Sequence, residues 1–216
     1  MLNSMPDIIL WSVTACLIAV LWVPAIYGKW TIPIVLAISL SITSYHNLHF
    51  HPHYQVWLCN FTALFTLILV VKFSQRLFDI VFYFAWTGDV FTFIVPDNQT
   101  LPSVDQYPIV WVAYWLKHIA PLVYTVYLIK VKGRQISQNG IIWAFVGMAA
   151  YTLMMAGYNV IFNQNILDLQ EPTVKIEAYF GAWPMYVFVN MTILALWYYL
   201  IHSVGKRLKI IPSGNQ

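Results

Sequence analysis

Seven apolar stretches divide this chain, at roughly 8–27, 30–46, 55–72, 77–95, 109–130, 140–162 and 178–204. Each is close to the ~20 residues a helix needs to cross a bilayer. Backbone polar groups in hydrocarbon must be satisfied internally, which leaves only helices or a closed barrel, and runs of this length select helices. Composition agrees. Of 216 residues 60% are hydrophobic and 9% charged, with a mean hydropathy of +0.68, against the ~25% charged residues of soluble domains. The expectation is an all-α polytopic membrane protein: one transmembrane domain over residues 1–216, folded as a seven-helix bundle.

Charge placement orients the bundle. Lys29, Lys72, Arg76, Lys130, Lys132, Arg134, Lys206, Arg207 and Lys209 flank the ends of the odd-numbered stretches, whereas Asp97, Asp105, Asp168, Glu171 and Glu177 lie in the even-numbered connections with Lys175. The positive-inside rule then places the N-terminus outside and the C-terminus in the cytoplasm. The first stretch lacks a basic leader and a small-residue cleavage pattern, and reads as a retained helix. Cys16 and Cys59 both fall in apolar runs, which speaks against a disulfide framework. No basic patch of the kind that binds nucleic acid is present. The expected location is multi-pass in a membrane, the plasma membrane if the host is bacterial.

The fifth stretch carries Lys117 and His118 near its middle and Pro121 just after them. An ionisable group inside a span is costly and marks a functional-site hypothesis, with a partner to be found. At ~1.5 Å per helical residue, Cys59, Asp89, His118 and Asn159 all fall in the outer half of the bilayer. Gln55, Cys59, Thr62 and Thr66 form a polar stripe at helical spacing on the third stretch, and Tyr114, His118, Pro121 and Thr125 another on the fifth. Thr152, Asn159 and Asn163 follow on the sixth, and Trp183, Tyr186 and Asn190 on the seventh. Facing inward, these stripes would line a polar pocket open toward the outer side.

Plainer readings stand beside this one. Thr and Asn in membrane helices often only bond across helices, at ~1 kcal/mol or less. Cys59 alone is a small packing residue, Lys117 pairs with Asp89 as a structural ion pair, and Trp57, Trp86, Trp111 and Trp183 form an interfacial belt. A mid-span imidazole is harder to set aside. A thiol must lose its proton before attacking a carbonyl, and a neighbouring imidazole takes that proton. Cys59 and His118 in one pocket would therefore suit acyl transfer, which needs no cofactor. His46, His49, His51 and His53 form a candidate metal-ligand run in an outer connection. They lack an accompanying Cys or carboxylate, and read first as an interfacial loop. Asn98–Gln99–Thr100 is a glycosylation sequon.

Several runs resemble one family: Phe84–Asp97 (FAWTGDVFTFIVPD), Lys117–His118, Gly157–Tyr158–Asn159 and Gly181–Ala182–Trp183–Pro184–Met185–Tyr186. They are similar to the YwaF-type integral membrane proteins, which include an animal ether-phospholipid acyltransferase of the transmembrane-protein-164 type. The resemblance spans roughly residues 50–200. It departs from the family's pattern at Tyr54–Gln55–Val56–Trp57, at Val95–Pro96–Asp97 and at Ile119. It implies a seven-helix lipid acyltransferase in which Cys59 and His118 carry the chemistry.

The resulting expectation is transfer of acyl groups between membrane lipids, with an acyl-chain-bearing phospholipid as candidate substrate. Cys59 is the nucleophile and His118 the general base, with Asp89 or Asn159 orienting or stabilising. Tyr114 and Trp183 shape the acyl site, with Tyr186 on the same stripe as Trp183. The Gly-Ala-Trp-Pro turn is expected to kink the last helix and cap the pocket. The rival expectation is a non-catalytic seven-helix ligand-binding, sensor or transport protein; the lack of internal repeats speaks against transport, and the very short cytoplasmic loops against a receptor.

Overall fold

A computed structural model describes residues 29–94, 102–172 and 177–212. The expected first helix at 8–27 and the Asn98–Gln99–Thr100 sequon lie outside the described residues. Within them the regular structure is entirely helical. Five helices are long and apolar enough to cross a membrane: α1 (Thr31–Phe50), α3 (Gln75–Ile94), α4 (Pro108–Lys130), α5 (Gly140–Phe162) and α6 (Met185–Arg207). The shorter α2 (Leu58–Val71) is the sixth apolar helix. Its 14 residues reach only ~21 Å, and the 3₁₀ turn Pro52–Val56 precedes it.

Local chemistry sets the ends. Pro108 opens α4 at a position where a missing N–H costs nothing. α5 closes on Asn163 in the left-handed region, φ 51°, one of the few residue types that accept it. α1 runs on to Phe50 instead of stopping near residue 46, because no proline or glycine interrupts it before Pro52. α6 starts at Met185 and not at 178. Gly181 at φ 101° breaks the backbone there, and Pro184 is the residue before the helix. The expected kink from Pro184 therefore does not arise.

α4 is the central helix, buried almost continuously from Ala113 to Leu128. It packs along α1 and against α2 and α3. Ser39 and Thr43 on α1 are buried and return their hydroxyls to their own helix, Ser39 Oγ to Leu36 O at 3.1 Å and Thr43 Oγ1 to Ser39 O at 2.9 Å. These two buried hydroxyls thus have their donors satisfied within the helix. α3 and α5 meet through Gly147, where a Cβ would come within 3.2 Å of Ile80 and 3.3 Å of Phe84. α6 keeps most of its surface outside the bundle, exposing Phe188, Ile193, Leu196, Leu200 and Val204. An apolar face of that extent is a lipid-facing surface. The molecule is a multi-pass membrane protein.

The helices alternate in direction, so its two ends differ. One end brings Arg134 over the Phe73 ring at 4.2 Å, and Ile136 N–H to Ile210 O at 3.1 Å. There the buried Asp79 accepts from Gln75 Nε2 at 2.8 Å and from Ser137 N–H at 3.0 Å. The opposite end joins His53 Nδ1 to Tyr158 OH at 2.8 Å and Gln55 Nε2 to Ser44 Oγ at 3.0 Å.

Candidate functional site

A cavity of about 210 Å³ lies among α1, α2, α3 and α4, lined by Cys59, Asn60, Gly88, Tyr114, Lys117 and His118 with further residues of α1 and α3. Its chemistry comes from two pairs of neighbouring residues. Adjacent helical residues stand 100° apart, so both can border a cavity that a helix approaches edge-on. Cys59–Asn60 on α2 meets Lys117–His118 on α4 in this way.

Cys59 is the second residue of α2, after the N-cap Trp57. That position sets its sulfur in the first turn, where backbone N–H groups lack partners within the helix. Cys59 is a free, partly exposed thiol. Asn60, buried beside it, donates Nδ2 to Tyr54 O at 2.9 Å and to Gln55 O at 3.3 Å, tying the 3₁₀ turn to the helix. Its Oδ1 accepts from Lys117 Nζ at 2.8 Å. Lys117 Nζ also points at Cys59 Sγ, 3.6 Å away, and lies 5.6 Å from the centre of the Tyr114 ring.

His118 is held from the other side. Its Nδ1 lies 2.7 Å from Asp89 Oδ1, with both side chains almost fully buried. An ionised carboxylate only accepts, so with Asp89 ionised Nδ1 would carry the proton and Nε2 would present its lone pair. Nε2 has no hydrogen-bond partner among the described residues. Tyr114 packs over the imidazole with ring centroids 4.7 Å apart.

Asp89 reaches this position from an irregular stretch of α3. Residues Ala85–Asp89 form a π-helical turn, a one-residue insertion that re-aims side chains and recurs at functional sites. The turn is braced by two indoles. Trp197 Nε1 donates to Trp86 O at 3.0 Å, and Trp86 Nε1 donates to Thr125 Oγ1 at 3.2 Å. Gly88 borders the cavity within the same turn. On α4, Pro121 lacks the N–H that would bond the Lys117 carbonyl, yet the helix continues through it.

The structure thus brings Cys59, Asp89, Tyr114 and His118 around one site, with Cys59, Tyr114 and His118 on the cavity wall. It does not bring the other expected residues there. Asn159 clasps Ile166 through two bonds of 2.9 Å, from its Nδ2 to Ile166 O and from Ile166 N–H to its Oδ1. It thereby holds the turn after α5. Trp183 is 64% exposed and donates Nε1 to Leu169 O at 3.0 Å. Tyr186 is fully buried on α6. None of these three lines the cavity.

Two other expectations are corrected. Lys117 makes no ion pair with Asp89: His118 engages Oδ1 of that carboxylate, Oδ2 has no hydrogen-bond partner among the described residues, and the ammonium goes to Asn60 and Cys59. The four histidines are not gathered as one ligand set. Because α1 extends through residue 50, His46 is buried against Phe50 and Tyr107 while His49 points outward, and His53 is engaged by Tyr158. Among the described residues no group of three or more His, Cys, Asp or Glu is disposed to hold a metal.

Sequence reasoning missed Asn60 as a site residue and gave Lys117 the wrong partner. The signal for Asn60 was its place beside Cys59, which a single-stripe reading of the helix discards.

Among curated proteins and among solved structures nothing matches this chain. A family model does, that of the TMEM164 family, over residues 4–201. That match takes in α1 through most of α6 and every residue of the site described above, so the chain belongs to the TMEM164 family.

Proposed function

We propose that this protein transfers acyl groups between membrane lipids through an acyl-thioester on Cys59. The observation that carries the proposal is the shared cavity of Cys59 and His118, with His118 held through Nδ1 by Asp89 and its Nε2 unpartnered. That is the arrangement of a nucleophile, a general base and a group that orients the base. No hydrogen bond joins Sγ to His118; in unliganded sites such contacts are often long and tighten in the complex.

In the first half-reaction the Cys59 thiol gives its proton to His118 Nε2 and its sulfur attacks the ester carbonyl of an acylated phospholipid. The S–C bond forms, the ester C–O bond breaks, and His118 returns the proton to the departing lipid oxygen. In the second half-reaction a hydroxyl of an acceptor lipid gives its proton to His118 and attacks the thioester. The C–O bond forms, the C–S bond breaks, and the proton returns to Cys59. An apolar groove of about 390 Å³ lined by Val35, Ile38, Ile42, Val112 and Leu116 lies between α1 and α4, the two helices that also border the cavity, and offers room for an acyl chain.

The same proposal places seven helices in the membrane, with the N-terminus outside, the C-terminus in the cytoplasm and the cavity in the outer half. It is supported by the gathering of residues from 72–79, 130–140 and 205–211 at one end of the bundle, where most of the basic residues occur. In a bacterial host this membrane is the plasma membrane. The test is acyl exchange between a phospholipid and a lysophospholipid supplied to the purified protein. Wild type supports exchange and Cys59→Ser does not; full exchange by Cys59→Ser removes the nucleophile from the scheme.

A further inference from the structure

The buried cation of the site has no role in that scheme, and its position gives it one. Resting on the acyl-thioester reading, we infer that Lys117 is a catalytic residue whose ammonium meets the negative charge on Cys59 sulfur, and that Asn60 positions it. Lys117 is 3% exposed, deep enough that its charge needs partners, and the two groups that receive it are Asn60 Oδ1 at 2.8 Å and Cys59 Sγ at 3.6 Å. No carboxylate lies within ion-pair distance of it among the described residues. A fixed cation whose hydrogen-bond acceptors are one neutral amide oxygen and one thiol favours the thiolate form of that thiol.

Asn60 makes the arrangement rigid. Its amide nitrogen is committed to Tyr54 O and Gln55 O, so the amide cannot rotate and its oxygen stays on Lys117. Lysine carries a flexible four-carbon stem, and this anchor holds its ammonium beside the sulfur.

The proton inventory of the proposed reaction is unchanged. The thiol proton still goes to His118 Nε2 and on to the departing lipid oxygen. Lys117 keeps its own protons and holds the thiolate while the S–C bond forms, and again when the C–S bond breaks. The two adjacent residues of α4 thus divide the work, Lys117 serving the sulfur and His118 serving the oxygens of the two lipids.

The experiment compares full-length wild type with Lys117→Met, Lys117→Gln and Lys117→Arg in detergent. It measures alkylation of Cys59 by iodoacetamide at neutral pH, resolved by peptide mass spectrometry, beside formation of the acyl adduct from phospholipid. Removing an opposite charge next to a thiolate is expected to slow alkylation and acylation by about tenfold or more, with Lys117→Arg retaining most of both rates. Lys117→Gln can still donate to Asn60 but carries no charge, so it gives the same answer if Lys117→Met does not fold. Acyl adducts on wild type together with unchanged rates in both neutral variants would overturn the inference and leave the acyl-thioester standing. Slowed alkylation in the neutral variants with no adduct on wild type would keep Lys117 at the sulfur and end the acyl-transfer reading.

Discussion

Asp89 Oδ1 lies 2.7 Å from His118 Nδ1, joining a π-helical turn of α3 to the middle of α4. With Asp89 ionised, this bond would keep the proton on Nδ1 and leave Nε2 as the acceptor, as the proposed general base requires.

Asp89→Asn keeps the shape of the side chain but can no longer enforce that tautomer. Its acylation rate is expected to fall by roughly 10²–10⁴-fold, the range for loss of an oriented general base, with Tm close to wild type. Stopped-time acyl-adduct formation checks this, and a wild-type rate would mean that His118 works without Asp89.

Asn60→Leu removes the amide's hydrogen bonds to Tyr54 O, Gln55 O and the Lys117 ammonium. Unsatisfied buried polar groups cost about 1–3 kcal/mol each, so thermal unfolding in detergent should move to clearly lower temperature. An unchanged Tm would show that the turn before α2 does not depend on this amide.

Asn159→Ala separates structure from chemistry. It strips both partners from Ile166, with an expected loss of about 1–3 kcal/mol, yet Asn159 does not line the cavity. Per folded molecule the acylation rate should match wild type; a specific loss of rate at unchanged stability would return Asn159 to the site.

Trp197→Phe removes the donor to Trp86 O in the π-helical turn. The expected loss is about 0.5–1.5 kcal/mol, and acylation should slow as well, because the turn sets where Asp89 points. A variant that loses stability but acylates at the wild-type rate would show that the turn holds its register without α6.

What the sequence reveals of this molecule divides along physical lines. Long-range periodicity and end signals were legible: the expected 109–130 and 140–162 compare with Pro108–Lys130 and Gly140–Phe162, since proline, glycine and basic residues mark those ends. The start of α6 was misplaced because hydropathy does not register the break at Gly181 and Pro184. Burial depth brought Cys59, Asp89 and His118 together, whereas the same argument wrongly included Asn159, which shares their depth on a different face. Partner choice was illegible: opposite charges suggested Lys117 with Asp89, but one inserted residue in α3 hands Asp89 to His118. A period of 3.6 residues cannot show such an insertion.

The most direct test of the proposed function is intact-mass spectrometry of the purified full-length protein after incubation with phospholipid, wild type beside Cys59→Ala and His118→Ala. The account predicts a hydroxylamine-sensitive mass increase of one acyl chain on wild type, absent from Cys59→Ala and strongly reduced in His118→Ala. An adduct that persists in Cys59→Ala, or wild type that stays unmodified under every phospholipid supplied, would contradict it.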